Sequence, residues 1–201
     1  MNRATTSGTA PGDSRANQHR AADSPASVSA TAAIARAAAR MRSAERCTCD
    51  RTAAALGHTA ERWRAREFAR RRETVAGLAS ALGMTPALLD ESLDALLEPV
   101  TAAALKSVAA NLPRTDRLFG FLMPGNVPGA GIHEVCAALL AGAGLIIKSA
   151  SSEPLFFANF MRTLAEVDAT VAARLAVVNF GRGDDAAMRG LWAACDGGVV
   201  A

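Results

Sequence analysis

The chain has 201 residues, half of them apolar, with no Tyr and a formal net charge of +3. That is enough for one packed domain plus a tail, and the charge is too mild to mark a nucleic-acid binder by itself. No segment holds the roughly twenty consecutive apolar residues that cross a bilayer, so no membrane span is expected.

Residues 1–29 are rich in Ala, Ser and Thr with scattered Arg, and read as a disordered low-complexity leader. Residues 30–113 read as a helical region. Helix is expected from about Ala30 to Ala55. "HTAERWRAREFARRRETVAGLASALG" follows, with Trp63, Phe68, Val75, Leu78 and Leu82 at roughly helical intervals and Gly83 suited to a C-cap. Thr85 fits an N-cap and Pro86 the first helical position of the next helix. "TAAALKSVAANLP" supplies one more helix, closed by Pro113. Through Leu82 there are 14 Arg against 7 acidic residues, and beyond it 8 basic against 12 acidic. Glu45, Glu61, Glu67 and Glu73 interleave the arginines, so a solvated helix face is expected and nucleic-acid binding is not.

Residues 114–201 change texture. "GFLMPG", "GLIIKSA", "LAVVNFG" and "DGGVVA" are apolar runs of strand length, separated by three helix-like segments. Strands alternating with helices predict βαβ units on a parallel sheet, and continuous apolar strands predict cover on both faces. The fold class is therefore α/β: N-terminal helices followed by half of a doubly wound, Rossmann-like sheet. A sheet ending on a bare strand near Ala201 leads us to expect a truncated piece of a longer protein.

Cys47, Cys49, Cys136 and Cys195 suggest no disulfide framework, which fits a reducing cytoplasm. Cys47-Thr-Cys49 lacks a second pair and a His at finger spacing, so no metal site is expected. Cys136 lies three residues after His133, but its apolar helix reads as core.

The stretch "MPGNVPGAGIH" stands where the first strand hands over to a helix, the junction at which α/β proteins bind ligands. Its prolines stiffen the turn, and glycines such as Gly125 let a ligand approach the backbone. Asn126 either donates its carboxamide to a developing oxyanion or satisfies the turn itself. "LIIKSASSEPL" puts Lys148 at the ligand-binding end of the second strand, followed by Ser149, Ser151 and Ser152. Arg182, in "GRGDD" after the third strand, either meets a phosphate or belongs to a loop before an acidic helix start.

Together, "FLMPGNVPG" and "GLIIKSASSEPL" resemble the cofactor-binding half of the aldehyde dehydrogenase superfamily, and in particular the LuxC-type long-chain acyl-CoA (fatty acid) reductases; the likeness covers about Ala60 to Ala201. The resemblance implies that Asn126 is the oxyanion-binding asparagine, that Lys148 contacts the adenosine ribose, and that Pro154 opens the next helix. It implies cofactor contacts by Pro124, Gly125, Lys148 and Ser151. Ser151 stands where NAD-preferring relatives often carry Glu. Without that carboxylate a ribose 2′-phosphate meets no repulsion, so NADPH is the expected cofactor, although Glu153 nearby would oppose this if it turned inward. The implied activity is reduction of a fatty acyl-CoA, or of an acyl group on a carrier, to the aldehyde through a cysteine acyl-enzyme. No cysteine here matches that nucleophile. Assembly as a homo-oligomer or with other fatty acid reductase subunits is a further implication. The alternative is an inactive truncated remnant that binds nucleotide or a partner.

Overall fold

The computed structural model describes residues 25–200, with side chains from residue 29 onward. The expected leader therefore lies, up to residue 24, outside the described residues. Helix α1 spans Pro25–Ser43, starting earlier than Ala30, with Pro in a first turn where its missing N–H costs nothing. Helices α2 (Cys49–Arg64), α3 (Ala69–Leu82), α4 (Pro86–Leu97) and α5 (Ala102–Ala109) follow.

Two breaks fall where helical periodicity predicted continuous helix. Residues 44–48 interrupt the expected 30–55 segment, and Thr48 caps the new helix by accepting the Arg51 N–H. The second break, at 65–68, depends on a distant side chain. Arg71 donates to the carbonyls of Trp63 (2.8 Å) and Arg64 (3.3 Å), satisfying the end of α2. The same fully buried guanidinium pairs with Asp90 and Asp94 of α4, each at 2.7 Å. The ends of α3 and α4 follow their local signals: Gly83 is left-handed at φ +64, and Thr85 accepts the Leu88 N–H.

Strand β1 (Leu118–Leu122), α6 (Ile132–Ala141), β2 (Gly144–Lys148), α7 (Phe156–Val167), the short α8 (Ala169–Ala172), β3 (Leu175–Val178), α9 (Asp185–Ala194) and β4 (Gly197–Val200) complete the chain. All four strands pair in parallel in the order β3-β2-β1-β4. The chain moves from β1 outward to β3, then returns to the far side of β1, which creates a switch of direction beside β1. Every residue of β2 is buried because the sheet is covered twice. Leu145 and Ile147 face a core built with α2 to α7, centred on Trp63, Phe156 and Phe160, while Ile146 faces a second core with α1 and α9. Trp63 also donates to Thr163 Oγ1 at 3.0 Å, so the helical region and the sheet share one interior.

Most of the arginines from Arg62 to Arg71 are occupied within the molecule. Arg62 and Arg70 pair with Glu166, Arg66 with Asp94, and Arg64 donates to the carbonyls of Leu97 and Val100. Among the described residues no helix is long and apolar enough to cross a membrane.

Candidate functional site

The C-terminal ends of β1, β2 and β3 open onto a cleft of about 500 Å³ on the α9 side of the sheet. Its walls are Leu122 to Gly125 from the end of β1, Lys148 and the loop 150–152 from β2, and Arg182 with Met188 from beyond β3. Pro124, Gly125, Lys148 and Ser151, singled out from sequence as cofactor contacts, thus lie on one surface.

Lys148 is held there by strand alternation. Ile147 points to one core, so the next side chain points to the other face, toward Phe180 and α9. The lysine is 9% exposed, and its ammonium lies 5.5 Å from the centre of the Phe180 ring, within cation–π range. It forms no ion pair with any described residue. Burial and, secondarily, the positive charge of Arg182 hold its pKa below the ordinary lysine value. Two cations with no carboxylate in the cleft wall make a site that favours an anion.

The two loops lock together. Ser152 Oγ donates to the Gly125 carbonyl at 2.9 Å. A Cβ on Gly125 would collide with Ser152 Oγ and lie 2.8 Å from Ala150 Cβ, so only glycine allows this approach. The main chain of Met123 donates to the Lys148 carbonyl at 3.1 Å, continuing the sheet to the edge of the cleft.

Glu153 is buried at 1% exposure and turns away from the cleft into the core, where it accepts the Phe156 N–H at 2.8 Å and caps the start of α7. Burial pushes its pKa up to about 7, against the pull of the Phe156 and Leu155 amides. It is absent from the cleft wall. The helix it caps begins at Phe156, so Pro154 stands two residues before α7 and does not open it, contrary to the implied role. Ser149, immediately after the lysine, is fully buried and its Oγ has no hydrogen-bond partner.

Asn126 lies on the same loop as Gly125, one residue beyond the cleft wall. Its side chain is exposed and makes no hydrogen bond, so it does not satisfy the turn. The turn is instead shaped by Gly129 at φ +75 and Gly131 at φ +88. His133 is held away from the cleft by its contact with the Leu96 carbonyl at 2.8 Å, which requires Nε2 to carry the proton. Cys136 does not share its surroundings: it is in the core, and burial pushes its thiol up to about 12. Cys195 is likewise raised, to about 11. No cysteine lines the cleft, and among the described residues no cluster of His, Cys, Asp or Glu could hold a metal ion.

The contribution of Arg182 was open from sequence, because an exposed Gly-Arg-Gly loop has no periodicity. The usable signal was its position just after a strand that neighbours the Lys148 strand.

Comparison with solved structures finds the fold in an inferred aldehyde dehydrogenase from Burkholderia cenocepacia, with TM-score 0.64 at 15% identity over 85% of this chain. The chain spans 44% of that protein's length. No curated protein matches it. The model of the acyl-CoA reductase family LuxC matches residues 55–201, which include both cleft loops and all four strands, and the chain belongs to that family.

Proposed function

We propose that this chain holds the coenzyme and the oxyanion donor of an NADPH-dependent reductase that converts a fatty acyl thioester, on CoA or a carrier protein, to the aldehyde. The observation that carries the reading is the cleft itself. Lys148 and Arg182 face it without a carboxylate in its wall, Gly125 lets the β1 and β2 loops close against each other at its edge, and Glu153 is turned away. These residues fit a nucleotide bearing an extra phosphate. Lys148 would hold the adenosine ribose, Ser151 would donate a hydroxyl, and Arg182 would form a fork-like pair with the 2′-phosphate. The bound nicotinamide supplies hydride.

The chain's own contribution to chemistry is the Asn126 amide. Attack of a thiolate on a thioester carbonyl would put negative charge on that oxygen before the CoA thiolate leaves. An amide with no intramolecular partner, on a loop stiffened by Pro124 and Pro128, would donate to that oxygen as the charge develops. None of the four cysteines is assigned as the nucleophile, since burial raises the Cys136 and Cys195 thiols and no cysteine lines the cleft. That same fact favours the second reading, a nucleotide-binding module without turnover. The free thiols fit a reducing compartment such as the cytoplasm.

Titration of the protein with NADPH and NADH tests the reading. NADPH is expected to bind at least tenfold tighter. Arg182→Gln is expected to remove that preference, and Lys148→Met to weaken both cofactors roughly 10- to 100-fold, as loss of a charged hydrogen bond does. Equal affinities in the wild type would refute the assignment of NADPH. Cofactor binding without acyl-CoA reduction by the intact enzyme would leave the module reading standing.

A further inference from the structure

The opposite end of the sheet carries a second concentration of positive charge that the reductase reading does not use. Arg46, Arg114 and Arg174 line a recess of about 210 Å³ at the N-terminal ends of the strands, with Asp116 as its single carboxylate. Asp116 is already engaged by Arg46 at 2.7 Å. The other two guanidiniums form no ion pair with a described residue. Arg174, 8% exposed, donates to the carbonyls of Met41 (2.9 Å) and Gly142 (2.7 Å). Arg114 donates to those of Leu140 (2.6 Å) and Cys47 (3.3 Å) and touches Cys49 Sγ.

These carbonyls lie mostly at the C-terminal ends of α1 and α6, which explains why the cations are tolerated there. They do not neutralise them: a helix end carries about half an elementary charge, against a full charge on each guanidinium. Burial above all, and secondarily the nearby Arg46, hold the Arg174 pKa below its ordinary value, with Asp116 opposing the shift. An adjoining recess of about 270 Å³ shares Arg46, Asp116 and Arg174 and adds the Arg42–Asp196 ion pair and Arg117, which donates to the carbonyl of Asp196.

We propose that this recess is a second anion site, separate from the nucleotide cleft, that takes a phosphate-class oxyanion such as a phosphomonoester or diphosphate group. Guanidiniums present paired donors that match phosphate oxygens, and each arginine here has N–H groups beyond those given to carbonyls. The volume suits a phosphate or diphosphate group and is too small for a dinucleotide. A bound anion would tie the end of α1, the start of α2 and the approaches to β1, β2 and β3 to one point.

Isothermal titration with inorganic pyrophosphate, at ionic strength held constant with chloride, tests this. Saturable binding is expected in the wild type, with one site that persists when the cations of the nucleotide cleft are removed. Arg114→Gln is expected to weaken it about tenfold or more, the loss of a charged hydrogen bond, and Arg46→Gln to weaken it less. Asp116→Asn removes the only carboxylate lining the first recess and is expected to tighten binding up to about fivefold, a gain that a purely structural role for these arginines would not produce. Lys148→Met and Arg182→Gln, at the other end of the strands, are expected to leave the affinity of this site unchanged. If Arg114→Gln loses its circular dichroism signal, Arg46→Gln and Asp116→Asn decide the matter. Absence of saturable binding in the wild type overturns the proposal. So does binding that ignores Asp116→Asn and Arg46→Gln, or that disappears with Lys148→Met.

Discussion

The helical region and the strand ends treat buried cations in opposite ways. In the first, Arg71 is fully buried and every direction around it is answered: two carboxylates on α4 and the closing carbonyls of α2. At the second, Lys148 is almost as buried and meets only an aromatic face. Ser149 beside it has no partner, and Asn126 on the neighbouring loop has none either. A charge that is desolvated and paired holds structure together, because removing either partner leaves the other stranded. A buried polar group kept without a partner, as Ser149 is, costs stability that is recovered when a ligand brings the missing half, whereas the exposed Asn126 amide is solvated and free to donate. The contrast separates architecture from site without reference to any relative.

Four measurements bear on that contrast. The largest effect is expected from Arg71→Leu, which strands Asp90, leaves Asp94 with Arg66 alone and uncaps α2. Urea denaturation should show a loss of about 3–5 kcal/mol, and a loss below 1 kcal/mol would remove the distinction between the regions. Asn126→Ala should behave in the opposite manner. Its stability should stay within about 0.5 kcal/mol of wild type, because nothing in the molecule depends on it. The kcat of the intact enzyme should fall roughly 100- to 1,000-fold, as for other single oxyanion donors.

Glu153 sharpens the comparison because it is a buried charge inside the second region. Its folded pKa of about 7 lies above the ordinary 4.5, so the folded state keeps a proton that the unfolded chain releases in this interval. Its favourable contribution is complete below pH 4.5 and is lost as pH rises through 7. Denaturation at pH 5 and pH 8 should therefore show the protein weaker at pH 8 by up to about 3 kcal/mol from this group. Glu153→Gln, which keeps an acceptor for the Phe156 amide, should erase most of that difference; an unchanged pH dependence would assign it elsewhere. The smallest effect is expected from Gly125→Ala. The added methyl forces the Ser152 loop outward, and NADPH affinity should fall roughly tenfold with little loss of helix content. Unaltered affinity would mean that the two loops need not touch for binding.

Much of the fold was legible because its signals are local. The four apolar runs became β1 to β4, and the segments between them became the crossover helices. Gly83, Thr85 and Pro86 marked helix ends through their own backbone preferences. The break at 65–68 was not legible, since it is stabilised by a guanidinium that lies in the next helix and pairs with the one after. The failed role of Pro154 has a similar origin: Glu153 reaches forward to Phe156, and the helix starts where that carboxyl accepts.

For the site, the residue types and their place after strands could be read directly, because a Pro/Gly-rich turn and a lysine closing an apolar strand are properties of short segments. Which of them share a surface could not. Parallel pairing of β1 with β2 and of β2 with β3 brings Gly125, Lys148 and Arg182 to one edge, although they lie far apart along the chain. Alternation along β2 selects the face on which the ammonium emerges, and packing of α7 turns Glu153 into the core. Residue chemistry is carried by the amino acid itself, whereas proximity, burial and the lack of a partner arise only when distant segments meet.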